Sequence, residues 1–195
     1  MTKSVEFFFD FGSPASYLAY TQIGKVAARA GAEVIWRPFL IGGVMQATGN
    51  RSPIECAPKG VWMLEDLSRF AKRYGVEFNM NPHFPINTLP LMRGAIAAQD
   101  GGFLAPYADV IFQAMWVDGK NMGDPAVIGE VLTSAGLDAA QIIEATQVPE
   151  IKDKLKANTQ EAVERGAFGA PTYFIDGEMH FGQDRLDFVE QALSA

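Results

Sequence analysis

Apolar positions along this chain follow two different rhythms. Near the N-terminus, Val5–Phe9 (VEFFF) is dominated by apolar and aromatic residues, the pattern of a strand buried on both faces. From Pro14, apolar residues at Tyr17, Leu18, Tyr20, Ile23 and Val26 recur at helical spacing, and Gly31 ends the run. Glu33–Phe39 (EVIWRPF) then reads as a second strand that Pro38 closes or bends. A strand, a crossover helix and a strand imply a parallel pair with a right-handed connection.

The middle of the chain keeps only the helical rhythm. Between about Gly42 and Arg165 no strand pattern stands out, whereas helical patterns cover 58–74, 87–100, 103–118, 124–135, 138–146 and 149–165. Short loops rich in Gly, Pro, Asn and Asp separate them. After Gly166 the strand signal returns: Thr172–Ile175, an Asp176-Gly177 hairpin turn, and Met179–Phe181. An amphipathic helix over Asp184–Leu193 follows, with Leu186, Val189 and Leu193 as its stripe. The ends therefore read βαβ and ββα around a helical block, an α/β chain with the element order of a thioredoxin-like fold. The expected organisation is a discontinuous thioredoxin-like domain, 1–41 with 166–195, and an all-helical insertion domain, 42–165.

Composition narrows the function. The chain has 195 residues, 48% of them apolar, enough for a substantial core. A formal net charge of −7 and the lack of a basic cluster argue against nucleic-acid or anionic-membrane partners. No apolar run approaches the roughly 20 residues that span a bilayer, and MTKSVEFFFDF reads as a first core strand rather than a signal peptide. A lone cysteine, Cys56, excludes an internal disulfide, fits a reducing cytoplasm, and reads as a spectator. Two distant histidines and no clustered ligand spacing point to no metal site.

The chemistry concentrates where strands meet helices. Ser13, in FDFGSPASY, stands at the N-cap position before Pro14, a common helix start. The same position, after the carboxyl end of a buried strand, is where α/β folds place ligands and where a helix end favours an anion such as a thiolate. Both readings stand. A serine-hydrolase reading fails, since GSPAS is not G-x-S-x-G and neither His83 nor His180 has a triad-like context. Ala170-Pro171-Thr172 is either a turn proline opening a strand or a cis proline presenting backbone to a peptide ligand. Phe181-Gly182-Gln183-Asp184 opens the last helix, with Asp184 as its cap or, with Gln183, as a clamp for an ammonium and carboxylate pair. Asp10 reads as structural, and Met45, Trp62, Met63 and Trp116 as core or pocket wall.

FDFGSPASYLAY, RPFLIGGVMQATGN, PKGVWMLEDLSRFAKRYG, FPINTLPLMR and RGAFGAPTYFIDGEMHFGQDR together resemble the 2-hydroxychromene-2-carboxylate isomerases, which belong with kappa-class glutathione transferases and DsbA-like thioredoxin-fold proteins. The likeness runs over essentially the full chain and rests on the order of the motifs. DsbA carries Cys-x-x-Cys where this chain has Ser13-Pro14-Ala15-Ser16, so disulfide chemistry is not available to this chain alone. The resemblance implies a glutathione cofactor whose sulfur meets Ser13, with Asn50 and Lys59 close to it. It further implies Ala170, before Pro171, on the cysteinyl unit, and Gln183 and Asp184 on the γ-glutamyl end, with Phe181 and Gly182 shaping that wall. On the second-substrate side the chain departs from the family pattern. Met45 stands where a basic residue is frequent, and Glu55-Cys56 where an Asn/Arg-type pair is, while Phe84 keeps the aromatic character of a pocket wall. The resemblance implies a cytoplasmic homodimer acting on a small aromatic or unsaturated keto acid by reversible thiolate addition. A kappa-like transferase or peroxidase is the alternative, and a non-catalytic thioredoxin-fold binding module is a third reading.

Overall fold

The computed structural model describes residues 3–195; the first two residues of the expected segment 1–41 lie outside them. Four strands form one mixed sheet in the order β2-β1-β3-β4. Strand β1 (Ser4–Phe9) runs parallel to β2 (Glu33–Pro38), joined by helix α1 (Pro14–Arg29). On its other side β1 pairs antiparallel with β3 (Thr172–Ile175), which turns through Asp176-Gly177 into β4 (Glu178–Phe181). Both turn residues have positive φ, 50° and 87°, the geometry that lets a two-residue turn match the strand twist. Phe7 faces Trp36 across one strand pair and Tyr173 across the other, so aromatic side chains brace the centre of the sheet.

The aromatic run of β1 is buried on both sides. Phe7 and Phe9 enter a large core beneath α1, while Phe8 enters a smaller one with Phe39 and Phe174. All three side chains are fully buried. The chain between the two halves of the sheet contains only helical elements. These are α2 (Ile41–Thr48), a 3-10 turn at Pro53–Glu55, α3 (Ala57–Tyr74), α4 (Leu89–Asp100), α5 (Leu104–Trp116), α6 (Pro125–Ser134), α7 (Ala139–Ala145) and α8 (Pro149–Glu164). A 3-10 turn at Gln183–Arg185 and α9 (Leu186–Ser194) close the chain. One continuous apolar cluster runs from Phe7 and Phe9 to Leu91, Ile111, Trp116 and Leu132, tying the helical segment to the sheet.

The periodicity reading anticipates every element except α2 and the two 3-10 turns. Helix α2 carries Gly42-Gly43, which weakens its local propensity. Tertiary contacts overrule that weakness: Val44 is buried, and Gly43 lies so close to Thr159 that a Cβ there would meet its methyl at 3.1 Å. Two smaller readings are corrected. Trp62 is not core, since it is 59% exposed on α3, whereas Trp116 is fully buried and donates from Nε1 to Phe11 O at 2.8 Å. Asp184 does not cap α9: Arg185 occupies that position without a side-chain cap bond, and Asp184 pairs instead with Arg185. No helix among the described residues is long and apolar enough to cross a membrane.

Candidate functional site

Ser13 sits where β1 gives way to α1, and its hydroxyl is used twice. Its oxygen accepts from Ser16 N at 3.1 Å, satisfying one of the free N–H groups of the first helical turn. Its proton is donated to Ala170 O at 3.0 Å. Ser13 is only 5% exposed. The cap and the reach across the site thus coexist in one hydroxyl, through separate lone pairs and proton.

Beneath this loop lies Asp10, fully buried. Its carboxylate accepts from Gly12 N at 2.8 Å, Ile41 N at 2.8 Å and Thr88 Oγ1 at 2.7 Å. One side chain therefore joins the Ser13 loop, the start of α2 and the residue preceding α4. Burial raises the Asp10 pKa above the usual carboxylate value, and the three hydrogen bonds oppose that rise. Gly12 is needed for the close approach: a Cβ there would stand 3.1 Å from the Thr88 methyl and 3.3 Å from Asp10 Oδ1. Asp10 is the residue whose importance the sequence understated. An acid ending an apolar strand just before Gly-Ser-Pro was the available signal.

The opposite wall is the segment before β3. The Ala170–Pro171 bond is cis, and Pro171 also directly precedes β3, so the isomer that the sequence left undecided is fixed. Asn50, just past α2, donates from Nδ2 to Phe168 O at 2.7 Å. Phe168 packs on Phe181 with ring centroids 4.5 Å apart, and both rings are more than a third exposed. Gly182 N donates to Pro171 O at 3.1 Å, and Gly182 adopts φ 99°, a conformation that favours glycine. Tyr74, at the end of α3, donates its hydroxyl to Gln183 O. Burial pushes the Tyr74 phenol up to about 12, so it remains a donor at neutral pH.

The fold thus brings Ser13, Asn50, Ala170, Pro171, Phe181, Gly182, Gln183 and Asp184 into one linked region, with Phe168 as a member that sequence reasoning missed. Lys59 stands exposed on the first turn of α3 and is not tied to this network by a hydrogen bond. Met45 is half-buried on α2. Phe84 is half-buried too, its ring 5.8 Å from that of Trp116, so it leans on the core. Cys56 is exposed and unpaired at the N-cap position of α3, and no cluster of metal-ligating side chains occurs among the described residues.

A strand-to-helix loop with Ser-Pro-Ala-Ser at the first turn, facing a cis-proline loop across the sheet, defines a class of protein. The family profile described as a DSBA-like thioredoxin domain matches residues 4–194, and the chain belongs to that family. Within it, the likeness is to 2-hydroxychromene-2-carboxylate isomerases and kappa-class glutathione transferases. The 2-hydroxychromene-2-carboxylate isomerase of Sphingobium xenophagum is 32% identical over 195 residues, covering 99% of both chains. Human glutathione S-transferase kappa 1 is 27% identical over 99% of this chain and 92% of its own length. A solved structure of selenomethionine 2-hydroxychromene-2-carboxylate isomerase superposes with a TM-score of 0.87 at 29% identity, covering 97% of this chain and 94% of that one.

Proposed function

We propose that this protein is a cytoplasmic, glutathione-dependent isomerase of the 2-hydroxychromene-2-carboxylate isomerase type. The observation that carries the reading is the Ser13 hydroxyl, held at the first turn of α1 and aimed across at Ala170 O where a redox fold would hold a cysteine. Ser13 carries no sulfur, so in this reading the sulfur comes from a ligand; the chain's own thiol, Cys56, is exposed at the N-cap position of α3.

The residues present fit a glutathione-sized peptide. Ala170 offers a carbonyl whose present partner is a movable hydroxyl. Gln183 and Asp184 stand on a turn pinned by Pro171 O and Tyr74 and would hold the γ-glutamyl end, while Asn50 and the exposed Lys59 would flank the remainder. When bound, glutathione supplies the thiolate that adds reversibly to an electron-poor carbon of an unsaturated keto acid, allowing a double bond to rotate or a ring to open. Ser13 would redirect its proton from Ala170 O to the sulfur, leaving that carbonyl free to accept an amide N–H of the ligand. Free thiols ionise above neutrality, and each unit of lowering needs about 1.4 kcal/mol. A hydroxyl donor together with a helix N-terminus supplies about one or two units. Met45 and Phe84 would border the second substrate, and the protein would act as a homodimer, which light scattering checks.

The test is the interconversion of 2-hydroxychromene-2-carboxylate and trans-o-hydroxybenzylidenepyruvate with and without glutathione. Turnover that requires glutathione supports the reading. A second reading, a kappa-like transferase or peroxidase, is favoured by Met45 and Glu55-Cys56, which remove cationic contacts expected for a carboxylated chromene. Conjugate accumulation with a chloronitrobenzene and no chromene turnover would select it. Failure of calorimetry to detect glutathione binding would instead point to a non-catalytic module.

A further inference from the structure

The side of α2 that faces α8 carries a groove of about 560 Å³, which shares no lining residue with the Ser13 region. Leu89, Leu155 and Val163 supply apolar wall, and Arg93, on the second turn of α4, enters from one side. Three arginines in the chain are half-buried: Arg37, Arg93 and Arg165. Arg37 and Arg165 are both paired with Glu6 and Glu161. Among the described residues Arg93 has no carboxylate partner, and its buried Nε, like that of Arg37, has no hydrogen-bond partner.

A partly desolvated guanidinium without a counter-ion is an incomplete arrangement, and the missing carboxylate sets Arg93 apart from Arg37 and Arg165. Its planar fork matches a carboxylate in bidentate geometry. Lys152 and Lys156 add positive charge to the same groove against the carboxylates of Asp153 and Glu164, in a chain whose net charge is −7. The volume falls within the roughly 300–1,000 Å³ typical of small-molecule sites. We propose that this groove binds an apolar monocarboxylate, its hydrocarbon part against Leu89, Leu155 and Val163 and its carboxylate on the Arg93 guanidinium. The proposal does not depend on the glutathione reading.

Calorimetric titration with 2-naphthoate tests it, with octanoate distinguishing an aromatic from an aliphatic preference. The wild-type protein is expected to bind one 2-naphthoate or octanoate per chain. Arg93→Met should weaken that binding about ten- to a hundredfold, the loss of a charge-assisted contact. Ala47→Trp, which fills the groove from an exposed position on α2, should weaken it likewise. The neutral analogue 2-naphthalenemethanol should bind as weakly to the wild type as 2-naphthoate does to Arg93→Met. Ser13→Ala and added glutathione should leave the affinity unchanged. Circular dichroism checks that the variants fold; if Arg93→Met does not, Ala47→Trp and the neutral analogue decide. Absence of saturable binding by either acid, wild-type affinity in the folded variants, or displacement by glutathione would overturn the proposal.

Discussion

The Ser13 hydroxyl donates to the Ala170 carbonyl across 157 residues of sequence, at 3.0 Å. This bond joins the two halves of the sheet at the place where a ligand would have to enter. Under the proposed function, glutathione would replace Ser13 at that carbonyl and receive its proton in exchange. Ser13→Ala therefore removes a cap and a cross-link together. Denaturant unfolding should show a loss of about 1–2 kcal/mol; under the proposed function, glutathione affinity should be nearly retained and turnover greatly reduced.

Asp10 holds three donors from three segments. Asn in its place offers one acceptor oxygen and sets an NH2 group against at least one of those donors. Asp10→Asn should cost about 1–3 kcal/mol by urea unfolding near neutral pH.

The same residue has a signature in pH. Its folded pKa is raised by burial above the ordinary value of 3.8, so the folded state holds the proton more tightly than the unfolded state. The proton-linked part of its contribution to stability is then fully present below the unfolded pKa and is lost as pH rises through the folded one, leaving the hydrogen-bonded part near neutral pH. The stability difference between wild type and Asp10→Asn should accordingly shrink as pH rises from below 3.8. A difference that grows across that window would contradict the buried-carboxylate account.

Asn50 is exposed, and its side chain bonds to Phe168 O. Asn50→Ala should change stability by less than about 1 kcal/mol. Under the proposed function it should raise KM for glutathione with little change in kcat. Steady-state kinetics at saturating second substrate separates the two constants.

On the far face of the sheet, Arg165 bridges Glu6 at 2.6 Å and Glu161 at 2.9 Å while its guanidinium lies 3.8 Å from the Phe174 ring centroid. Arg165→Met should destabilise the fold by about 1–2 kcal/mol through lost pairing and cation–π contact. Glutathione affinity should not move, which thermal unfolding and calorimetry together check.

Much of this architecture was legible because burial imposes a rhythm on sequence. VEFFF announces a strand covered on both faces, and the helical stripes from Pro14 and Asp184 announce α1 and α9. Helix α2 was not legible, because Gly42-Gly43 speaks against a helix locally and the reasons for it, Val44 in the core and Thr159 against Gly43, lie far away in the chain. The site shows the same division. Ser13 and Pro171 carry local turn signals, so they could be singled out. Asp10 and Thr88, and Phe168 with Phe181, become partners only through the fold, and no spacing rule connects them. Trp62 shows the converse limit: a large apolar side chain reads as core or pocket wall, and this one, exposed on α3, is not core.

The most direct test measures the ionisation of glutathione's thiol on the protein. Thiolate absorbance is titrated against pH with glutathione bound to wild type and to Ser13→Ala. The wild type should lower the thiol pKa by about one to two units relative to free glutathione, and Ser13→Ala should lose most of that shift while still binding. Equal thiol pKa values in the two proteins would contradict the role assigned to the Ser13 hydroxyl.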